Sequence, residues 1–317
     1  MPATHLPAVV AIWAPGLLAS MHRQAIEQGL SVSELETALS RSDHEITAHP
    51  YAGYLTLHQK SQAQLAAIAD GISCDGVILR ADPVRLVPDV DRLVCQPVAM
   101  QTFTDSYLRQ LLDAFNQIFA EDNMQLLMSE QKHWYLCLAE EPQVGFTNIQ
   151  DVLQQNIDVH LPVGDKATYW RKLLNETQML FHQINQQQGM NASSCINSIW
   201  PWCGDDTSDA YDTKPCQVMS NDPVLRGAAK LSDYAFLPLA NEWQDLNMQP
   251  SQETLFIDLS SLPASQVYHD WLMPAIHAVK QRQLGALKLV DGEQCFMINR
   301  KVTSRWWRRT RPLTSFF

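Results

Sequence analysis

The sequence predicts an α/β protein, and three observations point that way. A short apolar, β-type run opens the chain at residues 6–13 and stops at Pro15-Gly16. Two long stretches, 105–120 and 165–186, carry their apolar residues at helical spacing. From residue 196 onward, short β-type runs alternate with helical ones, the pattern of a sheet wrapped by helices.

Taken in order, residues 6–13 read as a buried first strand rather than a secretory leader, because the run lacks a basic start and Pro15-Gly16 breaks it. Helices are expected at 17–28 and 31–39, the second with Ser31 placed to cap and Glu34 three residues on. A short helix at 61–69 should close on Gly71. Residues 76–80 form a compact apolar run ended by Ala81-Asp82-Pro83, and 84–86 with 92–95 read as a hairpin around Pro88-Asp89. Leu108, Leu111, Leu112, Phe115, Ile118 and Phe119 stripe the helix at 105–120. Strands at 125–128 and 133–138 follow, parted by the polar turn 129–132. In 165–186 the stripe is Trp170, Leu173, Leu174, Leu180, Phe181 and Ile184, which reads as core packing. Later strands are expected at 196–200, 217–219, 254–258, 286–290 and 295–298, with helices at 223–230 and 267–281. The two ends share one style. We therefore expect an α/β core built from 1–95 and 190–317, interrupted by an inserted α+β cap subdomain at 96–189.

Charge narrows the partners. The net charge of −11 argues against general nucleic-acid binding, which needs a basic footprint. Residues 300–317 nevertheless hold six cations and no acid, leaving −17 on the rest of the chain. Such a tail docks on the acidic body, serves as an arm for an acidic partner, a phosphorylated ligand or nucleic acid, or is a disordered end, with Trp306, Trp307, Arg308, Arg309 and Arg311 as its candidate partner contacts. Seven cysteines without a C-x-x-C pair read as reduced thiols in a cytoplasm, neither a disulfide framework nor a zinc site. No stretch is long and apolar enough for a membrane span.

Familiar chemistry is scarce. His44 and His49 flank a Glu45 as in a zincin helix, but stand five residues apart instead of four, so they leave one helix face. Asp205, Asp206, Asp209 and Asp212 lack the glycine and closing glutamate of a calcium loop. No G-x-S-x-G, P-loop or G-x-G-x-x-G is present. Cys203, between Trp202 and Gly204, reads as an inert thiol. The polar residues expected to converge are Arg80, Asp82, Arg85, Asn175, Glu176, Gln178, His182, Asn197 and Trp202. As a set they suit a small polar or anionic ligand, held by arginine charge and amide hydrogen bonds.

Four windows carry a family resemblance. Leu79-Arg80-Ala81-Asp82-Pro83-Val84-Arg85-Leu86 with Asp89-Val90-Asp91-Arg92-Leu93 is the first. The others are residues 170–180, Asn197-Ser198-Ile199-Trp200-Pro201-Trp202, and Trp306-Trp307-Arg308-Arg309-Thr310-Arg311-Pro312-Leu313. Together they resemble the RpfE-type regulatory proteins of proteobacteria, from about residue 76 to the C-terminus, with Cys203 where that family usually has glycine. That family is distantly similar to archaeal-type cofactor-independent phosphoglycerate mutases, of alkaline-phosphatase fold. The resemblance implies an alkaline-phosphatase-like core sheet flanked by helices, in a bacterial cytoplasmic protein.

The same comparison removes the mutase chemistry. Such enzymes need two metal ions and a hydroxyl nucleophile. Where the resemblance calls for Asp-Gly after the first strand, this chain has Ala14-Pro15-Gly16. Where it calls for a late Asp-x-x-x-His cluster, Asp258 is followed by Leu259-Ser260-Ser261-Leu262-Pro263, and His269 and His277 do not replace it. A non-catalytic regulatory or ligand-binding descendant is expected, with no metal and no cofactor. The alternative is a metal-dependent mutase or phosphohydrolase with an atypical set such as Asp82, His182, Asp205 and Asp206.

Overall fold

The computed structural model describes residues 9–46, 60–90, 92–191, 194–203, 217–232, 234–246, 254–292 and 294–317. The chain begins with β1 (Val9–Trp13), α1 (Leu17–Gln28), α2 (Ser33–Arg41), β2 (Asp43–Ile46), α3 (Gln62–Asp70), β3 (Val77–Asp89) and β4 (Arg92–Pro97). It continues through α4 (Asp105–Ile118), β5 (Met124–Met128), β6 (Trp134–Leu138), β7 (Val144–Gly145), α5 (Ile149–Val152), β8 (Val163–Gly164), α6 (Ala167–Gln187) and β9 (Ser198–Trp202). After β10 (Gln217–Met219), α7 (Pro223–Ser232), β11 (Ala235–Leu237) and β12 (Thr254–Asp258) comes α8 (Ala264–Gln266). A π-helical turn, Val267–Leu272, leads from there into α9 (Met273–Lys280), and β13 (Ala286–Asp291), β14 (Gln294–Asn299) and α10 (Lys301–Ser304) complete the order. The result is a mixed α/β protein of two compact units, Met1–His58 with Asp209–Phe317 and Gln59–Ser208.

The first unit carries a seven-stranded sheet ordered β11-β10-β12-β1-β13-β14-β2. Strands β1, β10, β11, β12 and β13 are parallel, and β14 and β2 close one side antiparallel. A parallel strand buried on both faces has no polar side, which is why β1 reads Val-Val-Ala-Ile-Trp. Leu17, Leu18 and Met21 of α1, Leu35 and Leu39 of α2, and Trp271, Ile276 and Val279 of the late helix pack with the strands in one core. Ser31 does not cap α2: Val32 takes that position without a side-chain bond, and Ser31 Oγ lies 3.4 Å from Ser33 Oγ. Glu34 instead binds Lys280 and, at 3.0 Å, His277 Nε2 of α9. His44 and Glu45 lie on strand β2, with the His44 ring stacked on Phe296; His49 lies outside the described residues.

The second unit is built on an antiparallel sheet in which β3 is the spine. Its thirteen residues pair β6 over 77–80 and β4 over 84–89, and β9 over 80–84. The sequence suggested a turn at Asp82-Pro83, yet the strand runs through. Pro83 falls between the β6 and β4 pairings, where that edge of β3 has no ladder partner, a position proline tolerates. Strands β3, β4 and β9, grouped with the terminal core in the sequence reading, therefore share a sheet with β5 and β6. Helices α4 and α6 bury Leu108, Leu111, Phe115, Trp170, Leu173 and Phe181 in one core with Leu79, Ala81 and Ile199; a separate cluster joins Val84, Leu86, Cys95, Trp200 and Trp202.

One expectation about cysteine fails. Cys74 and Cys137 form a disulfide that links the segment before β3 to β6. Its neighbour Gly76 runs so close to β6 that an added Cβ would lie 2.0 Å from the Leu138 carbonyl oxygen. The two chains approach where sequence spacing alone gave no pairing. The compartment argument drawn from reduced thiols falls with it. Cys95, Cys195 and Cys295 are buried and outside any disulfide, and burial pushes the Cys95 and Cys295 thiols up to about 12.

Candidate functional site

In open α/β sheets ligands bind beyond the carboxyl ends of the strands, where neighbouring connections diverge. Here β10 connects outward to β11 while β12 crosses β1 to reach β13, so the divergence lies between Ser220 and Asp258. Both residues are buried. Ser220 Oγ donates to Asp258 Oδ2 at 2.7 Å and accepts from Asp222 N at 2.8 Å; Ser260 N donates to Asp258 Oδ1 at 3.0 Å. At the end of β13, the Asp291 carboxylate accepts from Gly16 N and, at 2.9 Å, from Leu18 N, capping α1 from another strand. Burial raises the Asp291 pKa, and those amides only partly oppose it. Both strand-end carboxylates thus hold backbone amides.

The second unit holds the larger polar constellation. Arg80 donates to Asp82 Oδ1 at 2.5 Å, and Trp202 Nε1 donates to Asp82 Oδ2 at 2.6 Å. The Arg80 guanidinium lies 5.2 Å from the Tyr135 ring centroid and donates to its hydroxyl at 3.4 Å. That hydroxyl donates to Asp70 Oδ2 at 2.7 Å, which His133 Nδ1 also meets at 2.7 Å. The network forms because β3, β6 and β9 set Arg80, Tyr135 and Trp202 in cross-strand register, while Asp70 arrives from the end of α3. Burial opposes the Arg80 charge, but the Asp82 carboxylate prevails and raises its pKa. Burial pushes the Tyr135 phenol up, against the pull of Arg80. For Asp70, burial acts upward, and hydrogen bonds from His133, Tyr135 and Ser129 overcome it, holding the carboxyl at about 2.

Of the predicted residues, Arg80, Asp82 and Trp202 come together. Asp70, His133 and Tyr135 complete the group, and the sequence reading missed them; the strand at 133–138, aligned opposite 76–80, would have been the signal. Asn197 is a ladder extension: its side chain accepts from Leu86 N at 2.7 Å and donates to Leu86 O at 2.9 Å. Arg85 binds Gln96. Glu176 pairs with Lys172 at 3.5 Å on the outer face of α6, and His182 is exposed with Gln186 as its neighbour. Asn175 and Gln178 instead line a cavity of about 170 Å³ with Arg171, Leu86, Ser198 and Trp200. Asp205, Asp206, Asp209 and Asp212 lie outside the described residues. Among the described residues no three His, Cys, Asp or Glu side chains are placed to hold a metal ion, and no helix is long and apolar enough to cross a membrane.

The basic tail docks within the first unit. Arg305 clasps Asp43 through two hydrogen bonds, 2.6 and 3.1 Å, and Arg308 donates to Ser42 O at 2.6 Å. Leu313 and Phe316 are buried in that unit's core, while Trp306, Trp307, Arg309 and Arg311 are exposed.

No family model matches this chain, and no curated protein sequence does. Among solved structures it is similar to the cofactor-independent phosphoglycerate mutase from Thermoplasma acidophilum, at 13% identity over 92% of this chain and 89% of that one, TM-score 0.42. It is also similar to the PH0037 protein from Pyrococcus horikoshii, at 8% identity over 92% of this chain and 87% of that one, TM-score 0.47.

Proposed function

We propose that this chain is a non-catalytic protein on a phosphoglycerate-mutase-like scaffold, acting in regulation by binding a small polar or anionic ligand. The observation that carries the reading is the engagement of Asp258 and Asp291 at the carboxyl ends of the parallel strands. Asp291 accepts two backbone amides, and Asp258 accepts one amide and the Ser220 hydroxyl, so both carboxylates are engaged in holding the fold. Asp82, a member of the atypical metal set, is likewise taken by Arg80 and Trp202. The ligand belongs in the cavity beside α6, where Arg171 supplies charge and Asn175 and Gln178 supply amide groups with no hydrogen bond among the described residues. At about 170 Å³ the space suits a compact ligand, smaller than the usual drug-sized pocket.

The experiment is a phosphoglycerate interconversion assay with added Mn²⁺ or Zn²⁺, beside calorimetry with each metal and with 3-phosphoglycerate. No turnover is expected, and 3-phosphoglycerate binding, where seen, should fall about tenfold in Asn175→Leu. Tight uptake of two metal ions with turnover would overturn the reading.

A further inference from the structure

The exposed tryptophans near the C-terminus have no duty in the fold. Trp306 and Trp307 occupy the two central positions of a turn closed by Arg308 N donating to Arg305 O at 3.1 Å. The turn is pinned on both sides. Arg305 holds Asp43 and Arg41 O, Arg308 holds Ser42 O, and further on Arg311 N donates to Ser40 Oγ at 2.8 Å. Leu313 N then donates to Glu36 Oε1 at 3.0 Å, and the Leu313 side chain is fully buried. All that anchoring leaves the indoles outside: Trp306 is 77% exposed and Trp307 63%. Their ring centroids sit 6.3 Å apart, edge to face. A lone exposed aromatic needs no explanation. Two adjacent indoles at the apex of an anchored turn are different, because the ordering that a partner would otherwise impose is already complete.

The surroundings state what the partner carries. Arg309 is exposed, Arg311 lies with its guanidinium 4.9 Å from the Phe316 ring, and residues 300–317 hold no acid. Trp and Arg dominate the energetics of protein interfaces, and this patch offers both.

We propose that the Trp306–Trp307 turn and its arginines form a docking surface for a short acidic segment of another protein, one that alternates carboxylates with apolar side chains. This does not rest on the ligand reading above, since the surface lies in the other unit. The charge balance selects the class. A long polyanion or an anionic bilayer extends past the patch and meets a chain that carries −17 outside it, whereas a short segment meets only the tail.

The test uses the full-length chain and a fluorescein-labelled peptide of alternating Glu and Leu, read by anisotropy at low salt and at about 0.5 M salt. Binding at low salt is expected, weaker at high salt. It should fall about tenfold or more in the Trp306→Ala/Trp307→Ala double variant and measurably in Arg309→Glu. The melting temperature of both variants should match the parent, because these side chains lie outside the core. Absence of peptide binding at low salt would overturn the proposal, as would binding indifferent to the double substitution. Tighter, tryptophan-dependent binding of oligo-dT or of phosphatidylglycerol vesicles would also overturn it, by assigning the surface to another class. Self-association abolished by the double variant, without peptide binding, would give the surface to a second copy of this chain.

Discussion

Asp70 shows how much a single buried carboxylate can contribute to stability. Its side chain is fully removed from solvent, and it meets His133 and Tyr135 at 2.7 Å each. Burial alone would push its pKa up; the donors reverse that and bring it to about 2, against an ordinary 3.8. A folded value below the unfolded one means stability that is fully present above about pH 4. It is lost as the pH falls through 3.8 toward 2. The gap corresponds to roughly 2 kcal/mol, and since His133 is 30% exposed, solvent screening leaves about 1–2 kcal/mol. Urea unfolding of the parent between pH 6 and pH 2.5 should therefore lose most of that increment, and Asp70→Asn should flatten this part of the profile while lowering stability at pH 6. An unchanged profile in the variant would remove Asp70 from the network. None of this was legible in the sequence, because Asp70 is a helix-terminal residue sixty-odd positions from its partners.

The elements of the second unit depend on a close approach between β3 and β6. Gly76, just before β3, admits the Leu138 carbonyl oxygen at a distance no Cβ allows, and the Cys74–Cys137 disulfide ties the same segment to β6. The bond spans 63 residues, and the loop-closure estimate for such a span is about 4 kcal/mol, a model-dependent figure. Cys137→Ser is thus expected to lower the stability of residues 59–208 by that order, and Gly76→Ala by about 2–3 kcal/mol through overpacking. A peptide map without reduction should show residues 74 and 137 joined; two alkylatable thiols there would refute the pairing. At the other end of the sheet, among the described residues β5 pairs only β6, and Asn116 serves its other edge by donating to Leu126 O at 3.0 Å and accepting from Leu126 N. Such plugging of an edge discourages strand addition. Periodicity found α4, α6, β5 and β6, since each buries one apolar stripe or a short apolar run. It missed the continuity of β3, because Asp82-Pro83 carries a turn signature that only the spacing of β6 and β4 along the strand overrides.

At the scale of the whole molecule, the α/β class was readable from the sequence, while the division at residues 59 and 208 was not. That boundary depends on which strands β3 and β9 join, a non-local choice that short apolar runs leave open. The tail makes the same point in reverse. Its charge was legible, and both docking on the body and service to a partner were consistent with it; the structure shows the docking, and the exposed indoles carry the partner role only as our proposal. Leu313 and Phe316 belong to the first unit's core, with Phe316 set 5.7 Å from Phe296 of β14, whereas Trp306 and Trp307 face outward. Removing a buried Leu and a buried Phe typically costs about 5–10 kcal/mol together, a large part of a total stability of about 5–15 kcal/mol. Ending the chain at Ser304 should accordingly destabilise the first unit by that amount and strip hydrogen-exchange protection from α2 and β14, with protection in residues 59–208 retained. Trp306→Ala/Trp307→Ala should shift stability by no more than about 0.5 kcal/mol. If truncation proved as mild as the double substitution, Leu313 and Phe316 would not be the anchors that hold the turn in place. The presentation of the indoles would then lose its physical basis.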